Sequence, residues 1–322
     1  MIKNMIQNKC LLVIFFLVAT LTSTVQGQQD SQYTQYMYNT MSVNPAYAGS
    51  RGELSIAALY RAQWVGLDGA PKTQTLNLHS PIRNSRLGYG ISIVNDNIGN
   101  GVVQETYFDA VLSYTIDLAD ERKLSFGLKA GGNLLNLDFQ QLRNFDQEPI
   151  TDGADITNNF SPNFGFGVYY HTNKFYLGLS APNMLETDYF DNSQRAANSV
   201  QFQSTERLNF YFITGYVFDL NYNLKFKPAF LLKAVGGAPL QLDFSGTFLL
   251  NDKFSFGAAY RWDAAASALF GFQLSERLML GLAYDKEITE LGGTRFNDGS
   301  FEVFLRFELV RSFQGLVSPR FF

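Results

Sequence analysis

The chain has 322 residues, with 25 Lys+Arg against 29 Asp+Glu (net −4), 17% charged residues and 15% aromatics. So many aromatics with so little charge exclude a disordered chain. An acidic balance without basic clusters excludes nucleic acid as a partner, and a single cysteine excludes a disulfide scaffold or a Cys-rich metal site. After the first 25 positions there is no apolar run of the ~20 residues that a membrane helix needs.

Residues 1–27 have the pattern of an export signal. Lys3 and Lys9 precede an apolar stretch from Leu11 to Leu21, and Val25 and Gly27 flank a cleavage point before Gln28. Cleavage there removes Cys10, the one cysteine, so rigidity must come from burial and backbone pairing. Residues 28–52 fit neither a linker nor a strand. They carry Tyr33, Tyr36, Tyr38 and Tyr47 around Pro45, which breaks any helix. The expectation is an ordered arm at 28–52, a strand region at 53–310 and a tail at 311–322.

Within 53–310 the hydrophobic period is two almost throughout. Phe108, Ala110, Leu112, Tyr114 and Ile116 alternate with polar residues, as do Phe254, Phe256, Ala258 and Tyr260. The alternation predicts fourteen strands, near 53–63, 72–80, 86–95, 103–118, 122–137, 161–171, 174–181, 206–219, 222–234, 239–250, 253–262, 265–274, 277–286 and 300–310. Every second connection is short and rich in Asn or Asp, such as Thr172-Asn173 and Asn251-Asp252, as hairpin turns should be. Several others are long, at 138–160, 182–205 and 287–299. Short turns on one side and long loops on the other predict an all-β, antiparallel, up-and-down transmembrane barrel of about 14 strands. A soluble β-sandwich also alternates, but without this asymmetry of connections. An even strand number puts both barrel ends at the short-turn, periplasmic side, with the arm packed against that mouth or inside the lumen.

The same alternation assigns the inward residues. Lumen-lining candidates are Gly88, Gly90, Gly127, Gly165, Gly167, Gly178, Lys225, Lys227 and Arg261. The glycines either relieve crowding in curved strands or keep the wall thin for something else in the lumen. Inward charges of both signs (Lys129, Lys233, Asp109, Asp243, Glu302 and Glu308 among them) suit a wet interior or a polypeptide plug, not a single-sign filter. His79 and His171 fall near the short-turn rim, as interfacial polar residues. No HExxH, P-loop or GxSxG pattern is present, and the acidic residues of 146–155 lack the spacing of a calcium loop. No catalytic residue, metal or cofactor is therefore expected, and an enzyme is not.

Two runs carry a resemblance. One is Tyr36-Met37-Tyr38-Asn39 with Asn44-Pro45-Ala46-Tyr47-Ala48-Gly49. The other is Tyr60-Arg61-Ala62-Gln63-Trp64-Val65-Gly66, continuing to Pro71. Together with Leu177–Leu185 and the terminal Ser318-Pro319-Arg320-Phe321-Phe322, they resemble the PorP/SprF family of the type IX secretion and gliding machinery of Bacteroidota. The resemblance implies an outer-membrane protein that binds the C-terminal region of a secreted adhesin and helps to secrete or display it. Other type IX secretion components and outer-membrane lipid would be its further partners. It also implies that Tyr33, Tyr36, Met37, Tyr38, Asn39, Asn44, Pro45, Tyr47 and Gly49 in the arm serve partner binding, with Trp64, Gly66 and Pro71 in a signature loop. A rival expectation is a porin or a transporter of small hydrophobic compounds.

Overall fold

The computed structural model describes residues 32–118, 122–138, 155–185, 187–188, 205–206, 208–236, 238–289, 292 and 297–309. The expected signal at 1–27, the tail at 311–322 and much of the loops at 138–160 and 182–205 lie outside the described residues.

Fourteen antiparallel strands close into one barrel. In chain order they are β1 (Ser55–Ala62), β2 (Lys72–Pro81), β3 (Leu87–Ile98), β4 (Val103–Asp117), β5 (Lys123–Leu137), β6 (Ile156–His171) and β7 (Phe175–Ala181). β8 runs as Asn209–Tyr216 and Phe218–Asn221, interrupted at Val217. β9 (Leu224–Val235), β10 (Gln241–Leu250), β11 (Phe254–Arg261), β12 (Ala265–Gln273), β13 (Leu278–Glu287) and β14 (Ser300–Glu308) complete the set. Each strand pairs with its sequence neighbours, and β1 pairs with β14 from Ser55 with Glu308 to Ala62 with Phe301, so no edge is left open. One boundary moves substantially: β6 begins at Ile156 rather than 161, because Leu137 of β5 is paired there across a bulge. A two-residue ladder, Thr187–Asp188 with Thr205–Glu206, lies between β7 and β8.

The turns follow their residues. Asn251 and Asp252 both have left-handed φ, 53° and 52°, and Lys253 N–H donates to Leu250 O at 3.1 Å. That is the mirror-image turn that matches strand twist. The outer face is a belt of exposed apolar side chains, among them Leu76, Ile91, Leu128, Phe164, Phe210 and Phe270. In water such a surface would aggregate, whereas in a barrel it is the lipid face. Among the described residues no helix is long and apolar enough to cross a membrane; the strands do so.

The buried core is inside the barrel. It consists of Tyr36, Met37, Tyr38, Met41, Ala46, Tyr47 and Ala48 from the arm, packed on inward residues of the wall such as Leu59, Val111, Tyr169, Ile213 and Phe304. Of the two places open to the arm, its described part takes the lumen. The inward face is accordingly not simply polar: where the arm is apolar, so is the wall.

Candidate functional site: the arm-filled lumen and its mouth

The arm enters by charge. Gln32 Oε1 accepts from Arg261 Nη1 at 2.8 Å, and Arg261 is bound to Asp243 at 2.9 Å, at the long-loop ends of β11 and β10. Thr34 and Gln35 then present consecutive backbone N–H groups to the Glu302 carboxylate, at 3.0 and 2.8 Å. Arg61 Nη1 lies 2.7 Å from Asp285 and 3.2 Å from Glu302, and it donates to Thr34 Oγ1, which donates to Asp285 at 2.6 Å. All three charges are almost wholly buried. Buried charges are tolerated when paired and hydrogen-bonded, and here the arm backbone completes the set.

The next residues descend along β11–β14. Tyr38 stacks on Phe304, with Arg306 6.0 Å from its ring. The chain then crosses the lumen in a helical turn (Thr40–Val43) and a 3-10 turn (Pro45–Tyr47). Asn39 Oδ1 accepts from Asn77 on β2. Asn44 donates to Val168 O at 3.0 Å while its Oδ1 caps Ala46 N–H at 2.9 Å. Tyr47 packs edge-on to His79 and Tyr169, with ring centroids 5.5 Å apart in each case. Ser180 and Ser113 hydroxyls donate to the Val43 and Ala48 carbonyls at 2.6 and 2.7 Å. At the short-turn end Gly49 N–H donates to His79 Nδ1 at 3.2 Å, and Arg51 forms a two-pronged bond with Glu308 at 2.6 and 3.0 Å. Burial by itself would lower the Arg51 pKa, but the Glu308 carboxylate and the Tyr47 phenol hold it above its ordinary value.

The inward glycines mark where the arm touches the wall. A Cβ on Gly127 would fall on the Ala46 backbone, one on Gly167 on Asn44, and one on Gly88 at 2.6 Å from Ala48 O. A Cβ on Gly90 would meet Met41 Sδ at 2.6 Å, and one on Gly178 would meet Asn44 Nδ2 at 2.7 Å. Thinness for an occupant, rather than relief of curvature, accounts for these five. Gly165 differs: its Cβ would strike the carbonyl of Pro182, where the chain after β7 folds over the wall. Asn183 there accepts from Lys129 Nζ at 2.8 Å, and Lys129 pairs with Asp109 at 3.1 Å. One cavity between arm and wall, beside Tyr36, Tyr169, Tyr176 and Lys227, has a volume of about 10 Å³, scarcely room for one water.

Other sequence expectations fall as follows. Lys227 is buried with its ammonium 5.0 Å from the Tyr176 ring centroid. Lys225 sits instead at the short-turn rim, bound to exposed Asp252 at 2.7 Å and not to the arm. His79 and His171 are buried in the lumen rather than interfacial, because their positions carry inward parity. Trp64, Gly66 and Pro71 belong to the β1–β2 connection at the long-loop mouth. Trp64 has φ 45° and donates its indole N–H to Glu287 at 3.1 Å and its backbone N–H to Ser300 at 3.1 Å. Val65 pairs with the 298–299 backbone and Gly69 O accepts from Gly99 N–H, so this loop ties β13–β14 to β3–β4. Two essential partners, Arg61 and Asp285, were not among the inward charges expected. The signal for both was parity: Arg61 follows Ser55, Ala57 and Leu59 on the inward face of β1, and Asp285 follows Gly281 and Ala283 on that of β13. No group of three or more His, Cys, Asp or Glu among the described residues could hold a metal ion.

A search of curated proteins finds no match to the chain. Among solved structures, the Acinetobacter baumannii outer membrane protein Omp33 is 9% identical with a TM-score of 0.46, over 80% of this chain and 98% of its own. The CymD monoaromatic hydrocarbon channel is 10% identical with a TM-score of 0.46, over 84% and 93%. A Pseudomonas aeruginosa FadL homologue is 14% identical with a TM-score of 0.43, over 88% and 96%. Likenesses this distant say nothing of what this barrel carries or binds. The family comparison is of another order: the model for the type IX secretion system membrane protein PorP/SprF matches residues 25–307, and the chain belongs to that family of outer-membrane barrels.

Proposed function

We propose that this barrel is an occluded outer-membrane anchor, exported by a cleaved signal, that binds the C-terminal region of a secreted adhesin at its long-loop mouth and helps to secrete or display it. The role is non-enzymatic. The observation that carries the reading is the filled lumen: a barrel packed by its own arm is built to hold rather than to conduct. The mouth supports it further, since the Trp64 loop is braced against two neighbouring connections and offers a fixed surface. Entry of the adhesin into the lumen is the less favoured route, because the arm already occupies the glycine-lined wall.

Two measurements test this. Cells carrying Trp64→Ala, in a barrel that still shows the gel shift of a folded barrel, should shed their surface adhesin into the medium; unchanged retention overturns docking at the mouth. In planar bilayers the wild-type barrel should show no steady conductance. A sustained open channel would instead favour the porin or hydrophobic-compound transporter.

A further inference from the structure

The arm is threaded, and this fixes where its leading end lies. Strands β1 and β14 start and finish at the short-turn side, where Ser55 pairs with Glu308 and Arg51 is tied to Glu308. A segment preceding such a barrel would be expected to stay on that side. Yet Gln32 and Tyr33 are bonded to Arg261, the last residue of β11, next to the 262–264 connection at the opposite rim. Tyr33 OH meets Thr75 at 3.1 Å in the long-loop half of β2. Between these ends the arm stays bonded to the inward wall: Thr34 and Gln35 at Glu302, Tyr38 at Phe304, Ala48 at Ser113, Gly49 at His79.

From this we infer that the chain passes through its own barrel, entering the lumen from the long-loop side and leaving it at the short-turn side. Because short turns face the periplasm in such barrels, Gln32, the first described residue of the arm, is presented at the cell-surface end of the lumen, although both barrel termini are periplasmic. The mouth surface therefore includes the leading end of the arm beside Arg261. The arm itself is a covalent connection across the membrane between the surface and the periplasmic end of β1. Its chemistry suits a fixed strut: a charged anchor at each end (Arg61 with Asp285 and Glu302 above, Arg51 with Glu308 below) and an apolar middle.

The test uses the full-length protein in intact cells. An epitope placed immediately before Gln32 should be bound by antibody without permeabilisation. Two controls calibrate the sides, an epitope at Trp262 in a long-side connection and one at Tyr222 in a short turn. Behaviour like Trp262 supports threading; behaviour like Tyr222, detection only after the outer membrane is opened, overturns it. A second measurement is independent of access. With Cys10→Ser removing the only native cysteine, Thr34→Cys with Asp285→Cys should form an oxidant-dependent cross-link in the folded barrel. Absence of that link in a barrel that keeps its gel shift also overturns the threaded path.

Discussion

Tyr38 and Phe304 stack inside the barrel with ring centroids 4.9 Å apart and planes inclined by 19°. One ring comes from the arm and the other from the last strand, and Phe304 has no exposed surface at all. Phe304 is thus an inward aromatic on a strand whose other large apolar residues, Phe301, Leu305 and Phe307, face lipid. Offset or parallel ring pairs add about 0.5–1.5 kcal/mol to the burial itself. Phe304→Ala should therefore destabilise the barrel by about 3–5 kcal/mol, read as a lower urea midpoint in lipid vesicles. It should also make the arm easier to cut by protease. Phe301→Ala, on the lipid side of the same strand, should leave protease resistance of the arm unchanged.

The glycine contacts predict a different phenotype. Gly127→Val puts branched carbon where the Ala46 backbone lies, and the Gly127 backbone cannot move far because it is paired on both sides within the closed ladder. The barrel should still assemble, since valine favours strands, but the arm should be displaced. The expected result is a steady ion conductance in planar bilayers and proteolysis within residues 32–50, both absent in the wild type. Gly236→Ala, where an added Cβ meets nothing within 4 Å, is the matched control and should change neither.

Strand positions were legible in the sequence because a barrel imposes period two wherever one face meets lipid, and thirteen of the fourteen strands lie close to their predicted bounds. Only the start of β6 escaped, because the residues before 161, Thr157, Asn158 and Asn159 among them, have no apolar alternation. The inward glycines were legible as a pattern but not as a contact surface, since a sequence shows a missing side chain without showing what fills the space. Arg61 and Asp285 were hidden for another reason. Their inward parity was local, but their partners are 241 and 251 residues away in sequence, so the pairing itself left no local signal. Phe304 was the hardest, because an apolar residue on the inward face violates the rule that located the face.

At the mouth, Trp64 holds a left-handed backbone, φ 45°, that a bulky residue adopts only when its surroundings enforce it. The enforcing bonds are the indole N–H to Glu287 and the backbone N–H to Ser300. Trp64→Phe keeps the ring but deletes a hydrogen bond to a charged acceptor, a loss of about 1.5–3 kcal/mol that solvent at the half-exposed loop reduces. The unfolding free energy of the whole barrel in urea should change by less than about 1 kcal/mol, since the loop lies outside the strands. Hydrogen exchange at Val65 and Asp298, whose N–H groups donate to Gly299 O and Val65 O, should accelerate at least tenfold. Adhesin retention, if it uses this surface, should fall in parallel.

Glu302 holds two consecutive N–H groups of the arm main chain, and its two oxygens are differently committed. Oε1 accepts Gln35 N–H, while Oε2 accepts both Thr34 N–H and Arg61 Nη1. All three partners are donors, so a carboxylate satisfies every one of them. An amide cannot, because one end of Gln must turn an NH₂ toward a donor. Glu302→Gln should consequently lose more than its near-identical shape suggests, leaving at least one buried backbone N–H without an acceptor at about 1–3 kcal/mol. Glu302→Ala removes both acceptors and half the counter-charge of Arg61, and should cost about 3–5 kcal/mol as a broken buried pair. Adding Arg61→Met to Glu302→Ala removes the stranded cation but leaves Asp285 buried with only the Thr34 hydroxyl from the arm. A further Asp285→Leu should recover much of the loss in urea unfolding, since a packed apolar replacement of a buried ionic set is often neutral. It should not recover protease protection at Thr34 and Gln35, whose N–H groups still lack a partner. If stability and protection instead return together, the carboxylate serves the barrel alone and not the grip on the arm.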